Sequence, residues 1–308
     1  MKSNTATATT ATAESPAYVG RFAPSPTGDL HVGSLLAAVA SYLDARAHGG
    51  RWLLRIEDLD TPREVAGAST RILRCLDAYH LHWDGPITYQ SKRSDLYATA
   101  LKSVAEQGRT FRCSCSRREL QTLSVYPGTC RISMPAATAD AAVRFILDPR
   151  STVFEDRIQG PRCTNAALEF GDFVIRRRDG LWAYMLAVVV DDADQGVTHV
   201  VRGADLLDST AAQIQLQQVL GYPQPAYAHV PVLTEPGGDK LAKSRRSPAL
   251  DPANAAIDAC KILILLGMQP PPELRRATPA DCWAWATPVW DIAKITRLRS
   301  LPLPERDS

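Results

Sequence analysis

The stretch from Tyr18 to Ile56 constrains the fold more than any other part of this 308-residue chain. Tyr18 to Ala23 reads as a strand, and Pro24, Pro26 and Gly28 punctuate a turn. Leu35, Leu36, Val39, Ala40 and Leu43 then recur at helical spacing up to Gly49-Gly50. A second strand, Trp52 to Ile56, follows at once. Two strands joined by a helix of this length make a βαβ unit, which crosses over right-handed into a parallel sheet. Helical patterns at Ala68 to Tyr79 and Asp95 to Gln107 continue the alternation, so the fold class is α/β.

The middle third changes character. From Thr110 to Gly171 short strand-like pieces such as Val143 to Leu147 alternate with turns, and the clustered cysteines lie here, which predicts an inserted subdomain. Strands are expected again at Phe173 to Ile175, Met185 to Val190, Val200 to Val201 and His229 to Leu233, with a helix over Ser209 to Leu220. A Gly- and Lys-rich loop, Gly237 to Ser244, follows the last strand. The 64 residues after Ser244 are fewer than the roughly 100 to 150 of a typical further domain, and Ala253 to Leu266 is the clearest helix among them. The expected division is a disordered tail over 1–17, a catalytic domain over 18–109 and 172–245, the insertion over 110–171, and a short helical region over 246–308.

Composition removes whole classes. Hydrophobic residues make up 45% of the chain, enough for a sizeable core, which excludes general disorder. The longest apolar candidate, Ala183 to Val190, is far shorter than the roughly 18 residues of a membrane span. The 35 basic residues nearly balance 33 acidic ones, so a broad electrostatic grip on nucleic acid is not expected, although a local patch is. Seven cysteines, an odd number, and an Ala/Thr-rich start without the order of a secretory signal predict a cytoplasmic protein with reduced thiols.

Two features carry chemistry. In Arg21-Phe22-Ala23-Pro24-Ser25-Pro26-Thr27-Gly28-Asp29-Leu30-His31-Val32-Gly33-Ser34, a histidine and a glycine stand at the start of a helix. Unpaired N–H groups and the helix dipole favour an anion there, though such a run can also be a plain turn with His31 as a cap. The second feature is Cys113-x-Cys115 with Cys130 after fourteen intervening residues. Three thiolates suit a tetrahedral metal that needs a fourth ligand, and no histidine lies between His82 and His199. Tyr, Glu, Asp, water or a distant group would have to complete the site, unless the three are ordinary core thiols. Cys75, Cys163, Cys260 and Cys282 stand alone and read as packing residues.

The run P-S-P-T-G-x-x-H-x-G resembles the HIGH-region signature of class I glutamyl- and glutaminyl-tRNA synthetases. Arg55-Ile56-Glu57-Asp58-Leu59-Asp60, Val201-Arg202-Gly203-Ala204-Asp205-Leu206-Leu207 and Lys240-Leu241-Ala242-Lys243-Ser244 agree with later family segments in order, the last with the KMSKS loop. The resemblance spans roughly residues 18–245. It implies a Rossmann-type catalytic domain that binds ATP. Full-length glutamyl-tRNA synthetases carry a large anticodon-binding region after KMSKS, which 64 residues cannot supply, so the chain resembles the family's truncated glutamyl-Q tRNA(Asp) synthetases. Arg177-Arg178-Asp179-Gly180-Leu181-Trp182-Ala183-Tyr184, running into Val188-Val189-Val190-Asp191-Asp192, is similar to them as well.

That resemblance implies one zinc ion held by Cys113, Cys115, Tyr126 and Cys130, and a glutamate pocket of Arg21 to Ser25, Glu57, Tyr184 and Arg202. The residue types suit a zwitterion with an extra carboxylate: Glu57 for the ammonium, Arg202 for the side-chain carboxylate, and Arg21 for added positive charge. The plain alternative for Arg202 is a surface ion pair with Asp205. His31, Gly33, Ser34, Lys240 and Lys243 fall on the ATP site, with His31 and Lys243 in catalysis and Gly237-Gly238 as hinge material.

The implied reaction is attack of the glutamate α-carboxylate on the α-phosphate of ATP, with Mg2+, followed by transfer to queuosine in the anticodon of tRNA(Asp). Ser34 and Ala242 depart from the family pattern, and Ala242 loses a side-chain donor. Arg117-Arg118, Arg176-Arg177-Arg178 and Arg245-Arg246 are candidate phosphate contacts or solvated faces. Competing readings are charging of a tRNA 3′ end and a noncatalytic tRNA-binding module, and a monomer is the expected state.

Overall fold

Four successive residues with both faces buried need cover on two sides, and the first strand, β1 (Val19–Phe22), is of this kind. The computed structural model describes residues 17–133, 136, 140–234 and 249–303. After β1 come α1 (Val32–Ala47), β2 (Arg51–Ile56), α2 (Ala68–Ala78), β3 (Thr88–Tyr89) and α3 (Ser94–Glu106). The middle of the chain forms β4 (Thr110–Cys113), α4 (Arg117–Leu120), α5 (Thr129–Ile132), β5 (Ala142–Phe145), β6 (Thr152–Asp156), β7 (Gly160–Thr164), α6 (Ala166–Glu169) and β8 (Phe173–Arg176). The remainder is α7 (Tyr184–Asp194), β9 (His199–Gly203), α8 (Leu207–Leu220), β10 (Ala226–Val230), β11 (Val232–Thr234), α9 (Ala255–Leu265), α10 (Pro279–Ala286) and β12 (Ser300–Pro302).

Strands β1, β2 and β3 pair in parallel, and β9, β10 and β6 do the same, with β7 added antiparallel at the edge. The halves meet where β1 lies beside β9: the Thr198 N–H donates to the Val19 carbonyl at 2.9 Å, and the Val19 N–H to Thr198 Oγ1 at 2.9 Å. The order β3-β2-β1 beside β9-β10-β6 reverses its winding at β1/β9. Such a reversal opens a crevice at the carboxyl ends of the strands.

One face of this sheet buries Leu35, Leu36, Val39 and Leu43 of α1 with Ala259, Ile262 and Leu263 of α9 and Trp283 of α10. The other buries Tyr97 and Val104 of α3, the apolar run of α7, and Leu207, Ile214 and Leu216 of α8. Each fully buried aliphatic side chain contributes roughly 1.5–3 kcal/mol. Polar ties lock the C-terminal helices on: Trp283 Nε1 donates to the Tyr79 carbonyl at 2.8 Å, and Trp290 Nε1 to Asp44 Oδ1 at 3.0 Å. A separate antiparallel sheet, β4-β5-β8, carries the cysteines, whereas β6 of the same middle third joins the parallel sheet through Asp156 beside Tyr227.

Two expected strands differ. Met185 to Val190 lies within helix α7, where Met185 to Asp192 is wholly buried. A short apolar run covered all round suits either element, and in the helix the i, i+4, i+8 spacing stacks Tyr184, Val188 and Asp192 along one face. His229 to Leu233 is split at Pro231, which has no N–H to give a sheet. Its first part ends β10, and its second, β11, pairs in parallel with β12.

Candidate active site and cysteine cluster

A cleft of about 570 Å³ opens at the carboxyl ends of β1, β2, β9 and β10. Arg21, Phe22, Ala23, Ser25, His31, Gly33, Ser34, Glu57, Tyr184 and Arg202 all line it. Arg21 and Arg202, 181 positions apart in sequence, thus share one cavity, at the switch point where the topology puts it. Pro24 stands behind the wall, where its carbonyl accepts the Glu57 N–H at 3.0 Å and ties the first loop to the end of β2. Lys240 and Lys243, with Gly237, Gly238, Ala242 and Arg245-Arg246, lie outside the described residues. A second cleft, about 510 Å³ near Arg109 and Thr152, contains none of the motif residues.

At the start of α1, His31 is the N-cap. Its Nδ1 accepts from the N–H groups of Gly33 at 3.1 Å and Ser34 at 3.3 Å. The amides expected to meet an anion are therefore taken by the imidazole, and the ring presents an Nε2–H donor instead. Burial lowers the His31 pKa, which favours this neutral tautomer. Gly33 is explained by the same contact: a Cβ there would lie 3.0 Å from His31 Cε1.

Beneath the cleft a charged network replaces apolar packing. Arg55 is fully buried, with Nη2 2.8 Å from Asp192 Oδ1 and 3.4 Å from Glu57 Oε1, and Nη1 donating to Gln195 Oε1 at 2.7 Å. Arg21 Nε donates to Asp192 Oδ1 at 3.2 Å. Asp191 accepts from Gln90 Nε2 at 2.7 Å, Arg93 Nε at 2.6 Å and the Tyr97 hydroxyl at 2.9 Å. Burial tends to raise the Asp192 pKa, but Arg21 and Arg55 prevail and lower it. Glu57 behaves oppositely: burial, only partly offset by Arg55 and Arg21, pushes its carboxyl up to about 7. It is the cleft's poorly compensated anion.

Arg202 is not a surface residue paired with Asp205. It is 5% exposed, and its guanidinium donates to His229 Nε2 at 2.9 Å, Thr210 Oγ1 at 2.9 Å and the Tyr184 hydroxyl at 3.4 Å. Sequence reasoning missed Asp156, Asp192, Thr210 and His229. Only Asp192 left a usable signal, its eight-residue spacing from Tyr184 along one helix face.

At the end of β4, the Sγ atoms of Cys113, of Cys115 in the following loop and of Cys130 in α5 lie within 4.8 Å of one another, with Cys115 and Cys130 3.5 Å apart. Thiolates on a tetrahedral ion with bonds of about 2.3 Å stand roughly 3.8 Å apart, so the cluster fits such an ion. The Tyr126 hydroxyl is 3.6 Å from Cys113 Sγ and accepts the Cys130 N–H at 2.8 Å, which puts its oxygen at the same centre. Burial opposes ionisation of Cys130, but the Ser114 backbone and neighbouring side chains bring it down to about 6. Arg178, just after β8, donates to the carbonyls of Ser114 and Cys115 and ties the cysteine loop to that turn. Arg176 lies over the Trp182 ring, and Arg177 pairs with Asp60 at 3.2 Å and Asp179 at 2.6 Å, so this basic cluster has partners inside the chain. Among the remaining cysteines, Cys260 and Cys282 are buried against each other, Sγ to Sγ 3.9 Å, whereas Cys163 is exposed and does not pack as expected.

Comparison with known proteins matches residues 18–126 and 132–261 to the family described as tRNA synthetases class I (E and Q), catalytic domain. Glutamyl-Q tRNA(Asp) synthetase of Ectopseudomonas mendocina is 53% identical over 286 residues, covering 92% of this chain and 97% of the relative. Its namesake from Dechloromonas aromatica is 50% identical over 296 residues, covering 93% and 98%. Among solved structures, glutamate-tRNA synthetase from Elizabethkingia anophelis superposes with a TM-score of 0.79 at 25% identity, covering 94% of this chain and 68% of that one. No helix among the described residues is long and apolar enough to cross a membrane. The sheet order, the capped His31 helix and these full-length matches establish that the chain belongs to the class I glutamate and glutamine tRNA synthetases, a family of ligases, within its glutamyl-Q tRNA(Asp) branch.

Proposed function

We propose that the chain activates L-glutamate with ATP and transfers it to queuosine in the anticodon of tRNA(Asp), in the cytoplasm. The observation that carries this reading is the convergence, in one cleft, of an undercompensated carboxylate, a buried guanidinium and a histidine-capped helix start. Glu57 takes the substrate ammonium, and Arg202, with Tyr184 beside it, takes the side-chain carboxylate. The loop Arg21 to Ser25 shapes the pocket floor, and Arg21 adds positive charge. His31 Nε2–H donates to a phosphate oxygen at the start of α1, where Gly33 and Ser34 allow close approach, and Lys240 and Lys243 bind the phosphates of Mg2+-ATP from the following loop.

The substrate α-carboxylate attacks the α-phosphorus, a P–O bond forms, and pyrophosphate leaves with the electrons of the broken bond. A queuosine hydroxyl then attacks the glutamyl carbonyl, loses its proton and displaces AMP, leaving an ester. No protein nucleophile is needed, so catalysis rests on positioning and on stabilisation of phosphate charge. Queuosine as acceptor is supported by the name of relatives that match over nearly their whole length.

Cys113, Cys115 and Cys130, with Tyr126 at the fourth corner, would hold one zinc ion; when bound it supplies a structural crosslink. The test of function compares tRNA(Asp) carrying queuosine with the same tRNA lacking it. Glutamylation of the first alone is expected, and equal glutamylation of both would sink the reading in favour of 3′-end charging. Absence of glutamate-dependent ATP–pyrophosphate exchange without tRNA would favour a noncatalytic module.

A further inference from the structure

Arg202 differs from the other buried arginines near the cleft in the charge of what holds it. Arg21 and Arg55 lie against carboxylates, whereas every in-chain acceptor of Arg202 among the described residues is neutral: His229 Nε2, Thr210 Oγ1, the Leu206 carbonyl and the Tyr184 hydroxyl. The pairing register of β9 with β10 puts His229 directly beside Arg202. An arginine Nε is always a donor, so His229 Nε2 must be the bare nitrogen and the ring proton must sit on Nδ1. There it meets Asp156 Oδ2 at 2.5 Å. The other oxygen, Oδ1, is committed to the backbone N–H groups of Ile158 at 3.0 Å, Gln159 at 2.7 Å and His229 at 3.2 Å. Burial, outweighing the hydrogen bond to Asp156, holds the His229 pKa down at about 4, so the ring is neutral near neutral pH.

We propose that Asp156 and His229 form a positioning relay that fixes the orientation of Arg202 while leaving its charge uncompensated, and so make the pocket select a side-chain carboxylate over an amide. A carboxylate in place of His229 would hold Arg202 equally well but neutralise it. The imidazole holds it through a lone pair and keeps the balancing negative charge one ring further away. This rests on the reading above that Arg202 faces the substrate side chain.

Asp156→Asn tests the relay with almost no change of shape. Because three backbone N–H groups hold the Oδ1 position, the amide oxygen must stay there, and the new NH2 faces His229 Nδ1. Nδ1 then accepts, the ring proton moves to Nε2, and N–H opposes N–H at Arg202. In tRNA-independent ATP–pyrophosphate exchange, the glutamate KM is expected to rise roughly 10- to 100-fold, the scale for loss of an orienting partner. The ATP KM and kcat should stay within about threefold, and the preference for glutamate over glutamine should shrink. His229→Gln, which offers an oxygen to Arg202 and an N–H to Asp156, should keep more glutamate affinity than His229→Leu. A similar rise of both KM values in Asp156→Asn and in His229→Gln would overturn the proposal as merely structural. So would an unmoved glutamate KM in Asp156→Asn when Arg202→Ala raises it. If Arg202→Ala itself leaves glutamate KM unmoved, the pocket reading fails instead.

Discussion

The walls of the cleft are backed by two extensive apolar cores, one on each face of the parallel sheet, while the cysteine cluster rests on a core of only Phe111, Cys113 and Cys130. The first region affords a dense set of buried charges, Arg55, Arg21, Asp191 and Asp192, because the surrounding packing keeps their partners in place. The second is held by smaller contacts around its thiols: Arg144 over Tyr126 at 3.9 Å, Phe111 stacked on Tyr126, and the Arg178 hydrogen bonds to the Ser114 and Cys115 carbonyls. A site backed by a large core can hold its geometry without help, whereas one with three core residues needs a crosslink to do so.

The largest effect should therefore follow loss of the zinc ion proposed for the cluster. Structural zinc binding is worth about 10–16 kcal/mol in small peptides, so Cys115→Ser should reduce bound zinc by roughly tenfold or more and open residues 110–133 to protease. Glutamate KM in tRNA-independent exchange should move by less than about threefold, since the cleft has its own cores. A cleft that collapses with the metal would break the contrast.

Next is the buried hub. Arg55→Met leaves Glu57, Asp191 and Asp192 without their shared cation, and stranding buried charge of this kind costs about 3–5 kcal/mol, readable by urea unfolding. A loss below about 1 kcal/mol would mean that the network is not what holds the cleft floor.

Glu57→Gln removes a charge-assisted contact worth about 1.5–3 kcal/mol, so glutamate KM should rise roughly 10- to 150-fold. In the unsubstituted protein the Glu57 carboxyl, pushed up to about 7, must be ionised to accept an ammonium. As pH falls through 7 the substrate has to expel a proton, so KM should rise by up to about tenfold per pH unit. The variant should lack that dependence, and an equally steep profile in it would assign the titration elsewhere.

The smallest effect belongs to Gly33→Ala. The new Cβ, 3.0 Å from the His31 ring, requires the imidazole to shift by a few tenths of an ångström. A two- to fivefold rise in ATP KM is expected, about 0.4–1 kcal/mol, with glutamate KM unmoved.

The βαβ unit at the start was legible because its helix and strands differ in period and its turns carry proline and glycine. Pocket residues 21–25, 57, 184 and 202 came from the family resemblance and share one cleft, apart from Pro24 behind it. What the sequence hid follows two physical rules. A fully buried apolar segment such as Met185 to Val190 has no face pattern to distinguish helix from strand. Residues that act through another side chain, such as Asp156 and His229, lie 73 positions apart and meet only through strand pairing. The role of His31 as cap to its own helix was visible as an alternative, because a neutral imidazole nitrogen just before a helix start can accept from its first free N–H groups.

The pairing of β11 with β12 has a bearing on how the molecule can be altered. β11 is the stem leading into the lysine-bearing segment, and the Leu303 N–H donates to the Thr234 carbonyl at 2.9 Å at its very end. On the far side of that segment the Leu250 N–H donates to the Leu30 carbonyl at 3.0 Å, next to His31. Residues near position 300 thus brace the chain just before residues 235–248, and the histidine loop braces it just after them. If those lysines bind ATP as proposed above, a deletion or bulky fusion at β12 would act as a brake on that step rather than as a harmless trim.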